Sequence, residues 1–281
     1  MMLYRLKRSL FKCIFFISLC YVRLFGGKVD TIAIPSATMN KSFNALVFLP
    51  SNYEQNSKSY PVLYLLHGHS SDPSSWFFVI PKIREWADQY QMILVCPDGD
   101  YDSWYLDGPN KADRKFETYM ALEVPKFIDQ CYRSLKDRAS RGISGISMGG
   151  HGAIYLALKH PGQFSCIGSS SGGLDLIPFY REWNLYQLLG DPIKNKTRWE
   201  QSSCLSLLNQ QAFKNQKLYI DCGTEDFFLE VNRKFHKKLE ELKIPHRYVE
   251  SKGDHSIPYW KAAYEKQIAF FSKNLVASTA K

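Results

Sequence analysis

The chain has 281 residues, 45% of them hydrophobic and 22% charged. That suits a single α/β domain with a full core and excludes bulk disorder. The net charge of +9 falls to +4 without residues 1–27, which carry five basic and no acidic side chains, and no clustered basic helix or stripe remains to bind nucleic acid.

The first stretch reads differently from the rest. Arg5, Lys7 and Arg8 precede the largely apolar run Phe11–Phe25. A basic segment followed by a short apolar one is the pattern of a secretory signal peptide. Lys12 and Arg23 interrupt the run, which leaves it short for a stable membrane span. Cleavage near Gly26 or Gly27 is expected, leaving residues 28–281 as one exported domain, periplasmic or extracellular. Ile17-Ser18-Leu19-Cys20 has the outline of a lipoprotein box, but the bulky Leu19 before the cysteine argues against lipid anchoring. Five cysteines lie beyond residue 27: Cys96, Cys131, Cys166, Cys204 and Cys222. The odd number and the missing C-x-x-C spacing argue against a metal site or a disulfide framework, and for packing residues.

From residue 44 onward, strand and helix signals alternate. Apolar runs of β-type residues fall at Ala45–Leu49, Val62–Leu66, Met92–Cys96, Arg141–Ile146, Phe164–Ser169, Lys217–Cys222 and Arg247–Glu250. Helical patterns lie at about Pro81–Tyr90, Glu117–Tyr132, Met148–Lys159, Phe228–Leu242 and Pro258–Leu275. Short strands buried on both faces and separated by helices imply a mostly parallel sheet sandwiched by helices. One stretch breaks the rhythm. Residues 172–211 form a long aromatic-rich insertion with Phe179, Tyr180, Trp183, Tyr186 and Trp199. It reads either as a lid or binding loop or as a helical excursion covering the sheet edge.

Gly145-Ile146-Ser147-Met148-Gly149 carries the chemistry. It fits the G-x-S-x-G nucleophile elbow, a strained strand-to-helix turn that lifts a serine hydroxyl clear of the backbone. A buried strand precedes it and a helix opening on small residues follows, which is the setting the motif requires. A serine nucleophile needs a base, and the base an orienting acid; behind a nucleophile elbow these follow in the chain order Ser, Asp or Glu, His. Downstream, the strand at Lys217–Cys222 ends in Gly223-Thr224-Glu225-Asp226, and the next ends in Gly253-Asp254-His255. Asp226 is expected to be the acid and His255 the base, with Glu225 the competing acid and Asp221 structural. His67, His69 and His151 precede the acid in the chain, His160 and His236 lie on helical patterns, and His246 begins a strand. The oxyanion donors expected are the backbone N–H of Met148 and that of His69, with Gly68 the alternative in the same turn. No cofactor is required.

Six ordered motifs resemble the esterase D family of α/β-hydrolases: Tyr64-Leu65-Leu66-His67-Gly68, Pro97-Asp98-Gly99, Ser103-Trp104-Tyr105, Gly145–Gly150, Gly223–Phe227 and Gly253-Asp254-His255. The resemblance spans about Asn44 to Phe271. It implies the α/β-hydrolase fold, the same triad and the same oxyanion donors. It further implies that Trp104 and Tyr105 lie near the acyl or alcohol pocket, with Trp260 also expected there; ordinary aromatic packing is the alternative for all three. The family includes S-formylglutathione hydrolases, generally cytosolic, against which the apparent signal peptide argues. It also includes mycolyltransferases, which need a cell envelope that nothing in the sequence demonstrates. The activity implied is that of an exported serine esterase on short-chain or carbohydrate-linked (acetyl or feruloyl) esters. Acyl transfer to a sugar or lipid alcohol, and non-catalytic glycan binding, are the alternatives.

Overall fold

A computed structural model describes residues 27–108 and 113–275. Residues 1–26 of the expected leader lie outside the described residues. Among those described, no helix is long and apolar enough to cross a membrane.

Eight strands form one sheet: β1 (Val29–Ser36), β2 (Lys41–Phe48), β3 (Val62–Leu66), β4 (Ile93–Pro97), β5 (Arg141–Ile146), β6 (Cys166–Ser170), β7 (Lys217–Gly223) and β8 (Arg247–Ser251). Their order is β1-β2-β4-β3-β5-β6-β7-β8. β1, β2 and β4 are joined by antiparallel pairs, and every pair from β4 through β8 is parallel. The strands expected from Ala45 to Glu250 are all present. β1 is the addition. It sits at the sheet edge with only Ile34 and Ser36 fully buried, so its polar alternation lacked the apolar run that marked the others.

Period-two alternation distributes side chains to two cores. In β3, Val62, Tyr64 and Leu66 join the core that includes Val124, Ile128, Ile154, Val231 and Phe235. Leu63 and Leu65 point the other way, among Trp76, Ile83, Tyr264 and Phe271. The helices supplying those residues are α1 (Trp76–Val79), α2 (Ile83–Gln89), α3 (Phe116–Thr118) running through one π turn (Tyr119–Glu123) into α4 (Val124–Cys131), α5 (Met148–Lys159), α9 (Leu229–Glu241) and α10 (Ile257–Asn274). Between them the insertion folds into three short helices, α6 (Leu185–Leu189), α7 (Lys196–Ser202) and α8 (Cys204–Leu207). Leu185, Leu188, Leu189 and Trp199 tie it to the first core. The cysteines expected to be packing residues are free thiols, buried except for Cys131, which is exposed.

Because the strands from β4 to β8 are parallel, the turns after β3, β4, β5, β6, β7 and β8 all gather at one end of the sheet. That end holds every expected site residue.

Candidate active site

Ser147 stands between β5 and α5 with φ 55° and ψ −119°. A non-glycine residue takes this conformation only when its surroundings enforce it. The enforcement is backbone on backbone. A Cβ on Gly145 would lie 2.3 Å from the Gly149 carbonyl, and one on Gly149 would lie 2.0 Å from the Leu66 oxygen. Both positions must therefore be glycine for α5 to approach β3 this closely. The Ser147 N–H donates to the Ser170 carbonyl at 3.0 Å, which fastens the elbow to the neighbouring strand.

The expected acid and base come from adjacent turns in direct contact. A Cβ on Gly223 would lie 2.3 Å from the Gly253 oxygen, and the Glu225 N–H donates to that same oxygen at 2.9 Å. His255 Nδ1 lies 2.9 and 3.0 Å from the two Asp226 carboxylate oxygens, and its Nε2 lies 2.8 Å from Ser147 Oγ. The carboxylate fixes the tautomer: Nδ1–H donates to Asp226, leaving the Nε2 lone pair for the serine proton. The Asp226 side chain is wholly buried, and it also accepts the Phe228 N–H at 2.8 Å. Glu225, the competing acid, is exposed. Asp221 is fully buried and held by Ser170, Tyr259 and Gln267, so its part is structural, as expected. Its burial pushes the carboxyl pKa up to about 6.

The turn after β3 is set by His67. The Gly99 N–H donates to His67 Nε2 at 2.8 Å, so the ring proton sits on Nδ1 and donates to the Gly68 carbonyl at 2.8 Å. In a trans peptide the carbonyl and the next N–H point in opposite directions. Holding the Gly68 oxygen therefore turns the His69 N–H the other way. A Cβ on Gly68 would lie 3.4 Å from Ser147 Cβ, which puts this turn beside the serine. Met148 opens α5, and an N–H in the first helical turn has no partner within its helix. Burial pushes the His69 pKa down although Asp102 opposes it.

A cavity of about 400 Å³ opens over Ser147 and His255. Trp104 and Trp260, both expected there, line it. Tyr105 does not, which corrects the expectation. Its ring is clamped beneath the site, where a Cβ on Gly152 would lie 2.4 Å from it, and its hydroxyl donates to the His67 carbonyl at 2.9 Å. It lies beneath the site and is fully buried. Trp183 from the insertion and Phe227 beside Asp226 line the cavity too, neither singled out for the pocket from the sequence. Phe227 packs on His255 at a centroid distance of 4.2 Å, and Trp260 meets the same ring edge-on at 5.0 Å. An aromatic residue next to the acid was the available signal for Phe227. Nothing in sequence separates Trp183 from the other aromatic residues of the insertion. Among the described residues, no group of three or more His, Cys, Asp or Glu side chains could hold a metal ion.

The chain resembles known proteins along most of this architecture. It is 28% identical over 234 residues to an esterase of Mycobacterium tuberculosis, a match covering 74% of this chain and 51% of the relative, so it spans about half that relative's length. An acetyl esterase of Caldicellulosiruptor saccharolyticus is 25% identical over 257 residues, covering 85% of this chain and 96% of the relative. A diacylglycerol acyltransferase/mycolyltransferase of Mycobacterium leprae is 31% identical over 158 residues, covering 53% of this chain and 46% of the relative. Among solved structures, a ferulic acid esterase superposes with a TM-score of 0.78 at 27% identity, covering 90% of this chain and all of the other. An S-formylglutathione hydrolase of Staphylococcus aureus gives 0.75 at 26% identity, covering 87% and 99%. These neighbours carry the α/β-hydrolase fold that the six motifs imply. With its family match running from residue 36 to residue 271, through the elbow and both turns that carry Asp226 and His255, the chain belongs to the Esterase family.

Proposed function

We propose that this protein is a serine carboxylic-ester hydrolase that works through an acyl-enzyme on short-chain or carbohydrate-linked esters of the acetyl or feruloyl type. The observation that carries the reading is the unbroken hydrogen-bond chain from Asp226 through His255 to Ser147. His255 Nε2 takes the Ser147 proton as Oγ bonds to the ester carbonyl carbon. The resulting oxyanion accepts from the N–H groups of Met148 and His69, each worth about 3–4 kcal/mol to such a transition state. Collapse breaks the bond to the alcohol, and the same imidazolium returns its proton to the leaving oxygen. Water then enters, gives its proton to His255 and attacks the acyl carbon; the acid leaves and Ser147 is restored. Asp226 supports the imidazolium throughout. The cavity volume lies within the range of small-molecule clefts, roughly 300–1,000 Å³, and the half-buried Trp260 offers apolar surface to the substrate.

Acyl transfer to a sugar or lipid alcohol is the second reading, favoured by the likeness to the mycobacterial acyltransferase. It uses the same residues, with an acceptor alcohol replacing water. The exported location belongs to the proposal too and rests on the pattern of residues 1–27.

The test is hydrolysis of p-nitrophenyl acetate, butyrate and octanoate, methyl ferulate and acetylated xylan, with Ser147→Ala as control. Turnover by the wild type alone is expected. Equal rates in the two proteins would refute the assignment. Added acceptor alcohols that divert the acyl group into new esters would move the reading to transfer.

A further inference from the structure

Trp183 forms part of the cavity wall although it belongs to none of the elements that carry the triad. It and Asn184 are consecutive residues at φ 47° and 60°. Asparagine tolerates that region but a bulky tryptophan avoids it, so Trp183 persists there only where contacts over-determine it. The contacts are specific. The Trp183 ring stacks on Phe227 at 5.5 Å and 26° and leans on Trp104 at 6.0 Å, and the Trp183 carbonyl accepts the Trp104 Nε1–H at 3.3 Å. Asn184 Nδ2 donates to Asp102 Oδ2 at 2.8 Å. The other oxygen of the same carboxylate pairs with Arg114. Asp102 thus joins the loop after β4 to the insertion at the residue next to Trp183.

Phe227 links this wall to the reaction. It meets Trp183 on one side and His255 on the other. His255 is the group that hands its proton to the departing alcohol, so the rings packed against it border the space through which that alcohol leaves.

We infer that Trp183 is the residue that selects the alcohol half of the ester, and that Asp102 is a positioning residue which holds Trp183 in place through Asn184. The alcohols favoured are those that present a flat apolar face to the indole, whether an aryl ring or the C–H face of a pyranose. This rests on the esterase reading above.

Two matched substrate series test it. Methyl, phenyl and 2-naphthyl acetates vary the alcohol, and p-nitrophenyl acetate, butyrate and benzoate vary the acyl group. They are run on the wild type, Trp183→Ala, Trp183→Phe and Asn184→Ala, with amide hydrogen exchange followed over residues 176–190. In Trp183→Ala, kcat/KM for 2-naphthyl acetate relative to methyl acetate is expected to fall about tenfold while the ranking in the acyl series holds. Trp183→Phe recovers most of that ratio. Asn184→Ala lowers it about threefold with the indole still present, and exchange in 176–190 speeds up. An active wild type whose alcohol ratio is unmoved by Trp183→Ala, or moved only in the acyl series, overturns the role of Trp183. Unchanged exchange and selectivity in Asn184→Ala overturn the role of Asp102. A wild type no more active than Ser147→Ala on every ester overturns the reaction itself, a result distinct from either.

Discussion

Ser147 and Trp183 face one cavity, and both hold a backbone conformation that side chains ordinarily avoid. They are held by different means. On the sheet side, main chain presses on main chain: Gly145 against Gly149, Gly149 against the Leu66 oxygen, Gly223 against the Gly253 oxygen. On the insertion side the fixings are side chains, namely the stack of Trp183 on Phe227 and the bond from Asn184 to Asp102. Strain held by backbone contact cannot be retuned by changing one residue, because no rotamer can yield. Strain held by side chains can be. Ser147, Asp226 and His255 sit on the first side, and the wall that one substitution can retune on the second.

Removing chemical groups on the sheet side gives the largest effects. Ser147→Ala is expected to cut ester turnover by about 10⁴-fold or more with the melting temperature kept within a few degrees, read by a p-nitrophenyl acetate assay beside a thermal melt. Asp226→Asn is expected to cost about 10³–10⁴-fold, since an amide oxygen orients the imidazole less well and supports its charge poorly. The Phe228 N–H still has an oxygen to meet, so folding survives. If Asp226→Asn retained wild-type turnover, Asp226 would not be the orienting acid.

The contrast itself is broken or sharpened by stability measurements. Gly149→Ala places a methyl group 2.0 Å from a backbone oxygen, so β3 and α5 must move apart. The expected loss is about 3 kcal/mol or more. Gly162→Ala, where a Cβ meets nothing within 4 Å, is the control and should stay within about 0.5 kcal/mol. Asn184→Ala removes one exposed hydrogen bond and should cost about 1 kcal/mol. Urea unfolding of the three variants decides the point. Comparable losses in Gly149→Ala and Asn184→Ala would erase the distinction between the two sides.

The same distinction explains what the sequence disclosed. Gly145, Ser147 and Gly149 are legible because a backbone requirement admits almost one residue type, and such a requirement writes a motif. Asp226 and His255 are legible because parallel strands deliver their C-terminal turns to one place, so chain order and strand ends suffice. Tyr105 was misplaced because adjacency to Trp104 in the chain says nothing of direction. Both residues are left-handed, at φ 51° and 58°, and Tyr105 ends under α5 while Trp104 reaches the cavity. Trp183 could be read only as one aromatic residue of the insertion, because its place in the wall depends on Asp102, Phe227 and Trp104, residues 44 to 81 positions away in the chain. Edge strand β1 escaped for a simpler reason: a strand with one wet face lacks the continuous apolar run of its buried neighbours.

The sheet side also has fastenings of the other kind, and one of them yields the gentlest prediction. Asp221, at the end of β7, accepts from Ser170 on β6 and from Tyr259 and Gln267 on α10, so a single carboxylate clamps the helix that follows His255. Burial raises its pKa from 3.8 to about 6. An acid raised in this way holds its proton in the folded state after the unfolded chain has released it. Stability from this group is therefore greatest below about pH 4 and declines as pH rises towards about 6, by at most about 3 kcal/mol at 1.36 kcal/mol per pH unit. Asp98, Asp102 and Glu117, all lowered, push the other way at acid pH. The informative quantity is thus the difference between the wild type and Asp221→Asn, not either curve alone. The melting temperature of the wild type minus that of Asp221→Asn should shrink between pH 4 and pH 6 and level off above it, since the amide cannot ionise. A difference that is flat across that window would mean that Asp221 keeps its charge inside the protein, with its three donors outweighing the burial.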